Sequence, residues 1–288
     1  MVNEIYSLYK ECLPDINRSE ETVKRILGDT GNHIINYMVA GKLAGVSVIN
    51  DNTILLLCVE KSFQNRGVGG ELLKQSEEYI LSNGFHKFVA GAGKDYIMPG
   101  IPMNNGAHNF FKKRGYIHSW GNRGCFDMCQ MLKDFDYNEH SIGDVIAGIT
   151  YRRALIHDVD NIVKCVSDAE ESFVQYYQNE EVYEKGANPL VLIAEKDNEV
   201  LGALMVDIET GNTDTGSIGC TATACQHRNK GIATNMVILG TKYLKDIGLS
   251  KVYLSYTYTD IVSMYGRAGY KVCMEYYMGE KSVENTLT

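Results

Sequence analysis

The sequence has few residues that interrupt regular structure, and it has no long apolar run. Only four prolines occur in 288 residues, and no low-complexity stretch is present, so little of the chain is expected to be disordered. No run approaches the roughly 18 apolar residues that a membrane-spanning helix needs. The first residues also lack the basic and apolar regions of a secretory signal. We therefore expect a globular, cytoplasmic protein without a membrane partner.

Patterns typical of metal sites and nucleic-acid surfaces are also missing. The eight cysteines are scattered, and none forms a Cys-x-x-Cys pair, so free thiols are expected and a metal site is not. The formal net charge is −8, whereas a general nucleic-acid surface needs a basic face. An acidic surface mildly favours a cationic small substrate, although it serves solubility equally well. The length suits two domains of about 140 residues each.

What the sequence does contain is one glycine-rich motif, twice. The two copies are Gln64-Asn65-Arg66-Gly67-Val68-Gly69-Gly70 and Arg228-Asn229-Lys230-Gly231-Ile232-Ala233-Thr234. Their common register continues without a gap to Gly84 and Gly248. In each copy an apolar, strand-like run precedes the motif, and a helix-like run follows it. Two copies in matching context indicate a duplicated unit.

The two halves predict the same order of elements. The first half predicts helices at 5–12 and 20–27, a meander of strands at 34–40, 43–49 and 53–59, and then a helix at 68–82 and a strand at 87–90. A further helix and two strands follow, and the second half repeats the order from Tyr151 to Met278. The polar stretch between the halves breaks both periodicities. We therefore predict domains at 1–135 and 149–288, joined by a linker at 136–148.

The first half is longer than the second by ten residues, which fall within Gly91 to Asn105. A loop over a functional site and a tolerated surface insertion are equally consistent with this segment.

The glycine-rich motif suits a pyrophosphate. Small residues after a strand let the backbone approach a bound group, and the following helix offers unpaired N–H donors and a positive dipole end. Arg66 and Lys230 add a cation at the same point of each copy. The spacing excludes a P-loop, because Gly93-Lys94 precedes Asp95, where Ser or Thr is needed. It also excludes the dinucleotide fingerprint, because the third glycine is missing after Gly67-Val68-Gly69.

Both copies do satisfy Gln/Arg-x-x-Gly-x-Gly/Ala, and each half ends on an aromatic-x-x-x-Gly-aromatic motif. These endings are Phe111 to Tyr116 and Tyr265 to Tyr270. In these motifs and their context the chain resembles a tandem protein of the GCN5-related N-acetyltransferase (GNAT) family, and the resemblance covers most of both halves.

The resemblance implies an α/β (α+β) fold of two consecutive GNAT-like domains, each a mixed, mostly antiparallel twisted sheet flanked by helices. Acetyl-CoA, as co-substrate, would lie between two splayed strands, and the two motifs would hold its pyrophosphate. The thioester carbonyl would face backbone N–H groups near Val59 in the first half, or near Ala222 and Thr223 in the second. The implied reaction moves an acetyl group to a primary amine by direct attack, with no metal and no covalent enzyme intermediate.

In this family a tyrosine of the last helix usually protonates the leaving thiolate, and Tyr265 stands at that position. The first half has Phe111 there, which cannot donate a proton. An asparagine that often contacts the cofactor matches Asn104 in the first half, whereas Tyr258 stands there in the second. We expect catalysis in the second half, although the reverse assignment stays open. Packing of an aromatic ring is the alternative role of Tyr265.

The general base and the acceptor are left open by the sequence. The carboxylates considered as general bases are Glu195, Asp207, Glu209 and Glu275. Each of them is also typical of a solvated surface. His118 and His227 are further candidates, although His227 lies within the cofactor turn. Residues 170–177 lie where family members shape the acceptor pocket. A polyamine, an amino sugar, an aminoglycoside, a peptide N terminus and a small amino acid all fit as acceptors.

The oligomeric state is also open. The competing function is that of a non-catalytic CoA-binding or regulatory protein with two degenerate domains.

Overall fold

The computed structural model describes residues 1–16, 18–93, 96–140, 145–146, 148–208 and 214–283. The chain forms two compact units. The first comprises Met1–Phe126 and Met274–Thr288, and the second comprises Asp127–Cys273. The predicted domains followed the sequence repeat. The compact units differ from them at three strands, because residues 127–131 of one strand lie in the second unit, and residues 274–282, which include parts of two strands, lie in the first.

The helices and strands alternate in an order that repeats along the chain. In chain order they are α1 (Val2–Cys12), α2 (Glu20–Leu27), β1 (His33–Val39), β2 (Lys42–Asn50), β3 (Thr53–Val59), α3 (Val68–Ser82), β4 (Lys87–Ala90), β5 (Ile101–Pro102), α4 (Ala107–Lys112), β6 (Ile117–His118), β7 (Cys125–Met131), β8 (Val145–Ile146), β9 (Ile149–Arg153), α5 (Val159–Ala169), α6 (Val174–Tyr177), β10 (Leu190–Lys196), β11 (Glu199–Ile208), β12 (Thr215–Thr223), α7 (Ile232–Asp246), β13 (Lys251–Tyr258), α8 (Thr259–Arg267), β14 (Lys271–Tyr277) and β15 (Gly279–Ser282).

The first unit is built on a mixed sheet with strand order β1-β2-β3-β4-β15-β6. The meander β1-β2-β3 is antiparallel, β3 and β4 are parallel, and β15 is antiparallel to both of its neighbours. The predicted helix at 20–27 is confirmed, and Ser19 caps it by accepting a hydrogen bond from the Thr22 amide at 3.1 Å. The last strand of the chain thus completes the sheet of the first unit.

The second unit has the same kind of sheet, and its strands, with β7 counted from Asp127, follow the order β7-β13-β12-β11-β10-β9-β8. The strands β9 to β12 are antiparallel neighbours, and β12 and β13 are parallel. Two apolar clusters cover the sheet. One includes Val237 of α7 and Tyr265 of α8, and the other includes Ile162 of α5 and Tyr177 of α6. The predicted α/β class, with mixed and mostly antiparallel sheets flanked by helices, is confirmed.

Two glycines bring the helix after each motif close to its sheet. A Cβ added to Gly45 of β2 would lie 2.8 Å from Leu72 Cδ1 of α3. A Cβ added to Gly202 of β11 would lie 2.8 Å from Met236 Cε of α7. Because both distances are too short for a real side chain, glycine is what allows the two helices to approach their strands.

The ten extra residues of the first half contribute to a core. Ile97, Met98 and Ile101 are buried. Within the segment, the Ala92 amide donates to Met98 O at 2.8 Å, and Tyr9 Oη of α1 donates to Ile97 O at 3.3 Å. Of the two predicted alternatives, a surface insertion does not describe this part of the segment, which packs inside the first unit.

Candidate active site

The two glycine-rich motifs form strand-to-helix corners with matching backbones. The first corner joins β3 to α3, and the second joins β12 to α7. Asn65 and Asn229 have φ of 59° and 61°, and Gly67 and Gly231 have φ of 90° and 81°. Left-handed backbone suits asparagine and glycine, which explains these residue types at these positions. The duplication seen in the sequence is therefore a duplication of one turn.

Each corner leaves the first amides of its helix without a capping side chain. Gly67 and Gly231 are the N-caps of α3 and α7, and neither helix has a side-chain cap. A Cβ added to either glycine would meet no described heavy atom within 4 Å. The first backbone hydrogen bonds of the two helices are donated by the amides of Glu71 and Asn235, to Gly67 O and Gly231 O. Bare N–H groups at a positive helix end fit a phosphate.

The first residue of each motif braces its corner. Gln64 Nε2 donates to Val59 O at 3.0 Å. At the second corner, Arg228 Nε donates to the equivalent carbonyl, Thr223 O, at 3.3 Å, and Arg228 Nη2 donates to Ala169 O at 2.9 Å. Gln64 and Arg228 were predicted to bind the cofactor. In the structure their side-chain donors bond the protein's own backbone.

The third residue of the motif, Arg66 in the first copy and Lys230 in the second, is exposed to solvent. The Arg66 guanidinium lies 6.0 Å from the Phe63 ring centre, and Lys230 Nζ lies 3.4 Å from His227 Nδ1. Both cations stand beside their corners and could contribute to the binding of an anion.

The strands that lead into the corners separate from their parallel neighbours. The β3–β4 pairing comprises Thr53↔Val89 and Ile54↔Ala90, and the β12–β13 pairing comprises three residue pairs from Thr215↔Lys251 to Ser217↔Tyr253. Beyond these pairs β3 continues to Val59 while β4 ends at Ala90, and β12 and β13 both continue. A gap therefore opens beside β3 and beside β12 toward the carboxyl end of each, where the corner lies. We call the gap between β3 and β4 the first gap, and the gap between β12 and β13 the second gap.

A bulge in β12 forms one wall of the second gap. The register of β12 with β11 shifts between Ala203↔Ala222 and Met205↔Gly219, and Cys220 in this bulge has φ of 47°. Two phenols bond the bulge. Tyr177 Oη donates to Cys220 O at 2.6 Å, and Tyr265 Oη donates to Thr221 Oγ1 at 3.0 Å.

The phenol of Tyr265 is held in its neutral form. The residue is 3% exposed, and burial raises the pKa of Tyr265 to about 12, although the hydrogen bond to Thr221 works in the opposite direction. At neutral pH this phenol therefore carries a proton and can act as an acid.

Two family models match the two halves of the chain. The first, described as an acetyltransferase (GNAT) domain, matches residues 6–133, and the second, described as the acetyltransferase (GNAT) family, matches residues 157–270. The chain belongs to the GNAT acetyltransferase family. It carries two GNAT domains in tandem, as the motifs predicted.

Solved structures share this fold at low sequence identity. A GCN5-related glucosamine N-acetyltransferase region of a fungal multi-domain protein is 19% identical with a TM-score of 0.77, covering 97% of this chain, which spans only 36% of that one. A tandem GNAT protein from the clavulanic acid biosynthesis pathway is 15% identical with a TM-score of 0.72, covering 99% and 95% of the two chains. A GCN5-related N-acetyltransferase from Sphaerobacter thermophilus is 19% identical with a TM-score of 0.71, covering 98% and 92%. A search of curated proteins found no match.

The first GNAT domain has aromatic and cationic side chains over its corner. A Cβ added to Gly69 would lie 3.4 Å from Phe110 Cε2, and one added to Gly70 would lie 3.4 Å from Arg114 Nη2. The Arg114 guanidinium stacks on the Phe110 ring at 3.8 Å. Asn104, the predicted cofactor contact of this domain, donates instead to Asp15 Oδ2 at 3.1 Å. Phe110 and Arg114 therefore contact the start of α3 at Gly69 and Gly70, whereas no described atom lies near the Cβ position of Gly67.

Buried polar atoms in the second GNAT domain lack partners. Within the described part of the chain, Oγ1 of Thr223 and Oγ1 of Thr257 are buried and accept or donate no hydrogen bond. Both residues lie in the separated parts of β12 and β13. Buried hydroxyls without partners are uncommon, and a polar ligand would satisfy them. This observation fits an extended ligand rich in amide groups, such as the pantetheine arm of CoA.

Some of the residues considered as general bases have hydrogen-bond partners within the protein. Glu195 Oε2 accepts a hydrogen bond from Arg152 Nη2 at 2.6 Å, and His118 Nδ1 accepts one from the Met278 amide at 2.9 Å. His227 Nε2 lies 3.6 Å from the Glu199 carboxylate and, within the described part of the chain, is buried without a hydrogen-bond partner. Burial raises the pKa of Asp207, opposed by a hydrogen bond from Asn188. None of these contacts identifies the general base, and Glu209 lies outside the described residues.

Glu275 is exposed and belongs to the first compact unit.

No group of three or more His, Cys, Asp or Glu in the described ranges could hold a metal ion. Likewise, no described helix is both long and apolar enough to cross a membrane.

Sequence reasoning missed the bulge residues. Thr221 and Cys220 carried no signal, because a bulge depends on the register with a neighbouring strand. Tyr177 fell inside the segment 170–177 that was predicted to shape the acceptor pocket, although its bond to the bulge was not foreseen.

Proposed function

We propose that the protein transfers an acetyl group from acetyl-CoA to a primary amine, and that the second GNAT domain performs this reaction. The observation that carries the proposal is the hydrogen bond from Tyr265 to Thr221 in the second gap. It places a buried, protonated phenol at the bulge that precedes the bare second corner.

The second domain fits acetyl-CoA in two respects. The uncapped amides at Ile232, Ala233 and Thr234 would hold the pyrophosphate, with Lys230 as a neighbouring cation. The separated strands β12 and β13 leave backbone groups and the Thr223 and Thr257 hydroxyls for the pantetheine arm. When bound, acetyl-CoA supplies an activated acetyl thioester.

The chain's own groups then assist a direct transfer. Backbone N–H groups of β12 near Ala222 and Thr223 stabilise negative charge on the carbonyl oxygen as the amine nitrogen bonds to the carbonyl carbon. Tyr265 Oη gives its proton to the sulfur as the carbon–sulfur bond breaks. The proton lost by the amine passes to solvent, and Tyr265 recovers its own from solvent. Tyr177 keeps the bulge in place through Cys220 O.

The first domain lacks the phenol. Phe111 stands where Tyr265 stands and has no proton to give, and Phe110 and Arg114 lie beside Gly69 and Gly70 of the first corner. Gly93, in the segment that follows β4, also packs against β3, because a Cβ added to it would lie 2.1 Å from Leu55 Cδ2.

A pair of matched variants tests which corner binds the cofactor. Gly67→Glu and Gly231→Glu introduce the same side chain at the same left-handed position, so both carry the same backbone strain. Calorimetry with acetyl-CoA should show binding to the wild type and to Gly67→Glu, and none to Gly231→Glu. Loss of binding in Gly67→Glu alone would reverse the assignment.

Turnover is then measured as thiol release with a panel of amines that covers polyamines, amino sugars, aminoglycosides, peptides and amino acids. Release that depends on an amine supports the proposal. Binding of acetyl-CoA without release across the panel would instead favour a non-catalytic CoA-binding protein.

A further inference from the structure

Both walls of the second gap contain a residue with strained backbone. Cys220 in β12 has φ of 47°, and Tyr256 in β13 has φ of 59°. Left-handed backbone is uncommon for residues other than glycine, asparagine and aspartate, and it persists only where surrounding contacts enforce it. The contacts that enforce it therefore control the shape of the gap.

A buried side chain bonds each of these positions. Tyr177 Oη bonds the carbonyl of Cys220. On the other wall, Asp127 Oδ1 accepts a hydrogen bond from the Tyr256 amide at 2.9 Å. Asp127 Oδ2 also accepts a hydrogen bond from Tyr253 Oη. Asp127 is 0% exposed, so its carboxylate depends on these donors.

The two donors to Asp127 stand on either side of the point where the gap opens. Tyr253 is the last residue of β13 that pairs with β12, through Ser217. Tyr256, three residues further, is the first position of strained backbone in β13. Asp127 therefore bridges the end of the pairing and the kink that follows it.

The residues after the kink belong to the proposed site. Thr257 carries one of the two buried hydroxyls without a partner among the described residues. Tyr258 is the N-cap of α8, the helix that carries Tyr265. The direction of β13 after Tyr256 thus sets both the wall of the gap and the start of α8.

We propose that Asp127 is a positioning residue, which holds the kink of β13 and so keeps the second gap open for the acetyl thioester and pantetheine arm of CoA. The inference rests on the function proposed above. Asp127 lies in β7, which belongs by sequence to the first repeat and by packing to the second unit. The second site thus depends on a residue outside its own repeat.

The test measures the affinity of the full chain for acetyl-CoA by calorimetry. Asp127→Ala removes both acceptors and should weaken binding about tenfold, as loss of supporting residues commonly does. Asp127→Asn keeps an oxygen that can accept from the Tyr256 amide, so it should recover most of that loss. Asp158→Ala is the matched control, because Asp158 is a 6% exposed carboxylate of the same unit that pairs with Arg152. It should lower Tm while leaving the affinity within about twofold of the wild type.

A second variant separates positioning from stability. Glycine adopts positive φ without strain, so the kink in Tyr256→Gly does not need to be enforced. Asp127→Ala combined with Tyr256→Gly should therefore bind acetyl-CoA more tightly than Asp127→Ala alone. If Asp127→Ala does not fold, the same comparison is made with Asp127→Ser. Serine has one side-chain oxygen, so this variant also cannot replace both carboxylate oxygens of Asp127.

Two results would overturn the role of Asp127: wild-type affinity in Asp127→Ala, or an equal loss of affinity in Asp158→Ala. A wild type that binds no acetyl-CoA would overturn the proposed function and this role with it. Wild-type binding that Asp127→Ala leaves unchanged would overturn the role alone.

Discussion

Tyr265 Oη lies 3.0 Å from Thr221 Oγ1 and donates a hydrogen bond to it. The ring of Tyr265 also packs edge-on against Tyr270, with 6.1 Å between ring centres. Phe111 packs edge-on against Tyr116 in the same way in the first domain, at 5.2 Å. The two helices thus share one packing arrangement, and only the second adds a hydroxyl. Packing alone does not account for that hydroxyl, which favours the acid role.

Tyr265→Phe should therefore keep the packing of the ring and lose the proton donor. We expect kcat for thiol release to fall about 100-fold, within the range of general acid catalysis. The KM for acetyl-CoA should change much less, because the ring remains in place. Steady-state kinetics with an amine that supports turnover measure both constants.

Tyr270→Phe is the matched control for this substitution. It also removes a buried phenol, whose oxygen lies 2.8 Å from Thr241 Oγ1. We expect it to lower Tm and to leave kcat within about threefold of the wild type, since a buried hydrogen bond contributes mainly to stability. Similar losses of kcat in the two variants would show that Tyr265 acts through packing.

The pH dependence of turnover follows from the burial of Tyr265. Burial raises the pKa of Tyr265 to about 12, compared with 10 for an exposed phenol. An acid must be protonated to act, and a raised pKa keeps it protonated to higher pH. We therefore expect no falling limb of kcat from Tyr265 between pH 7 and about 10. A falling limb near pH 9 that disappears in Tyr265→Phe would contradict this expectation.

The corners were predictable because their chemistry is local. Left-handed backbone at Asn65 and Gly67, and at Asn229 and Gly231, demands these residue types, so the demand is visible in the sequence. The acid role of Tyr265, which was predicted from its place in a family motif, stays a prediction.

Features that depend on distant pairing were not predictable. The assignment of β7 and β15 to units is decided by pairing across much of the chain, and short strands carry little signal for it. The same holds for the bulge at Cys220, for the packing of Phe110 over Gly69, and for Asp127. Each arises from contacts between residues far apart in the sequence.

Substitutions of Arg228 test whether its positive charge or its hydrogen bonds to the backbone contribute to acetyl-CoA binding at the second corner. Its guanidinium bonds Thr223 O and Ala169 O, and Gln64 makes the equivalent bond to Val59 O with an amide. Arg228→Gln should therefore keep the bond to Thr223 O and weaken acetyl-CoA binding by about threefold. Arg228→Leu loses both bonds and should weaken it by tenfold or more, since a lost bond to a charged donor costs about 1.5–3 kcal/mol.

The two variants control for each other, because each removes one positive charge, whereas only Arg228→Leu also removes the hydrogen bond to Thr223 O. Calorimetry at two salt concentrations separates the contributions. If the guanidinium bound the pyrophosphate directly, Arg228→Gln and Arg228→Leu would lose equal affinity, and both would reduce the salt dependence. A larger loss in Arg228→Leu, at the same salt dependence, would show that the corner binds through its backbone amides and that Arg228 holds them in place.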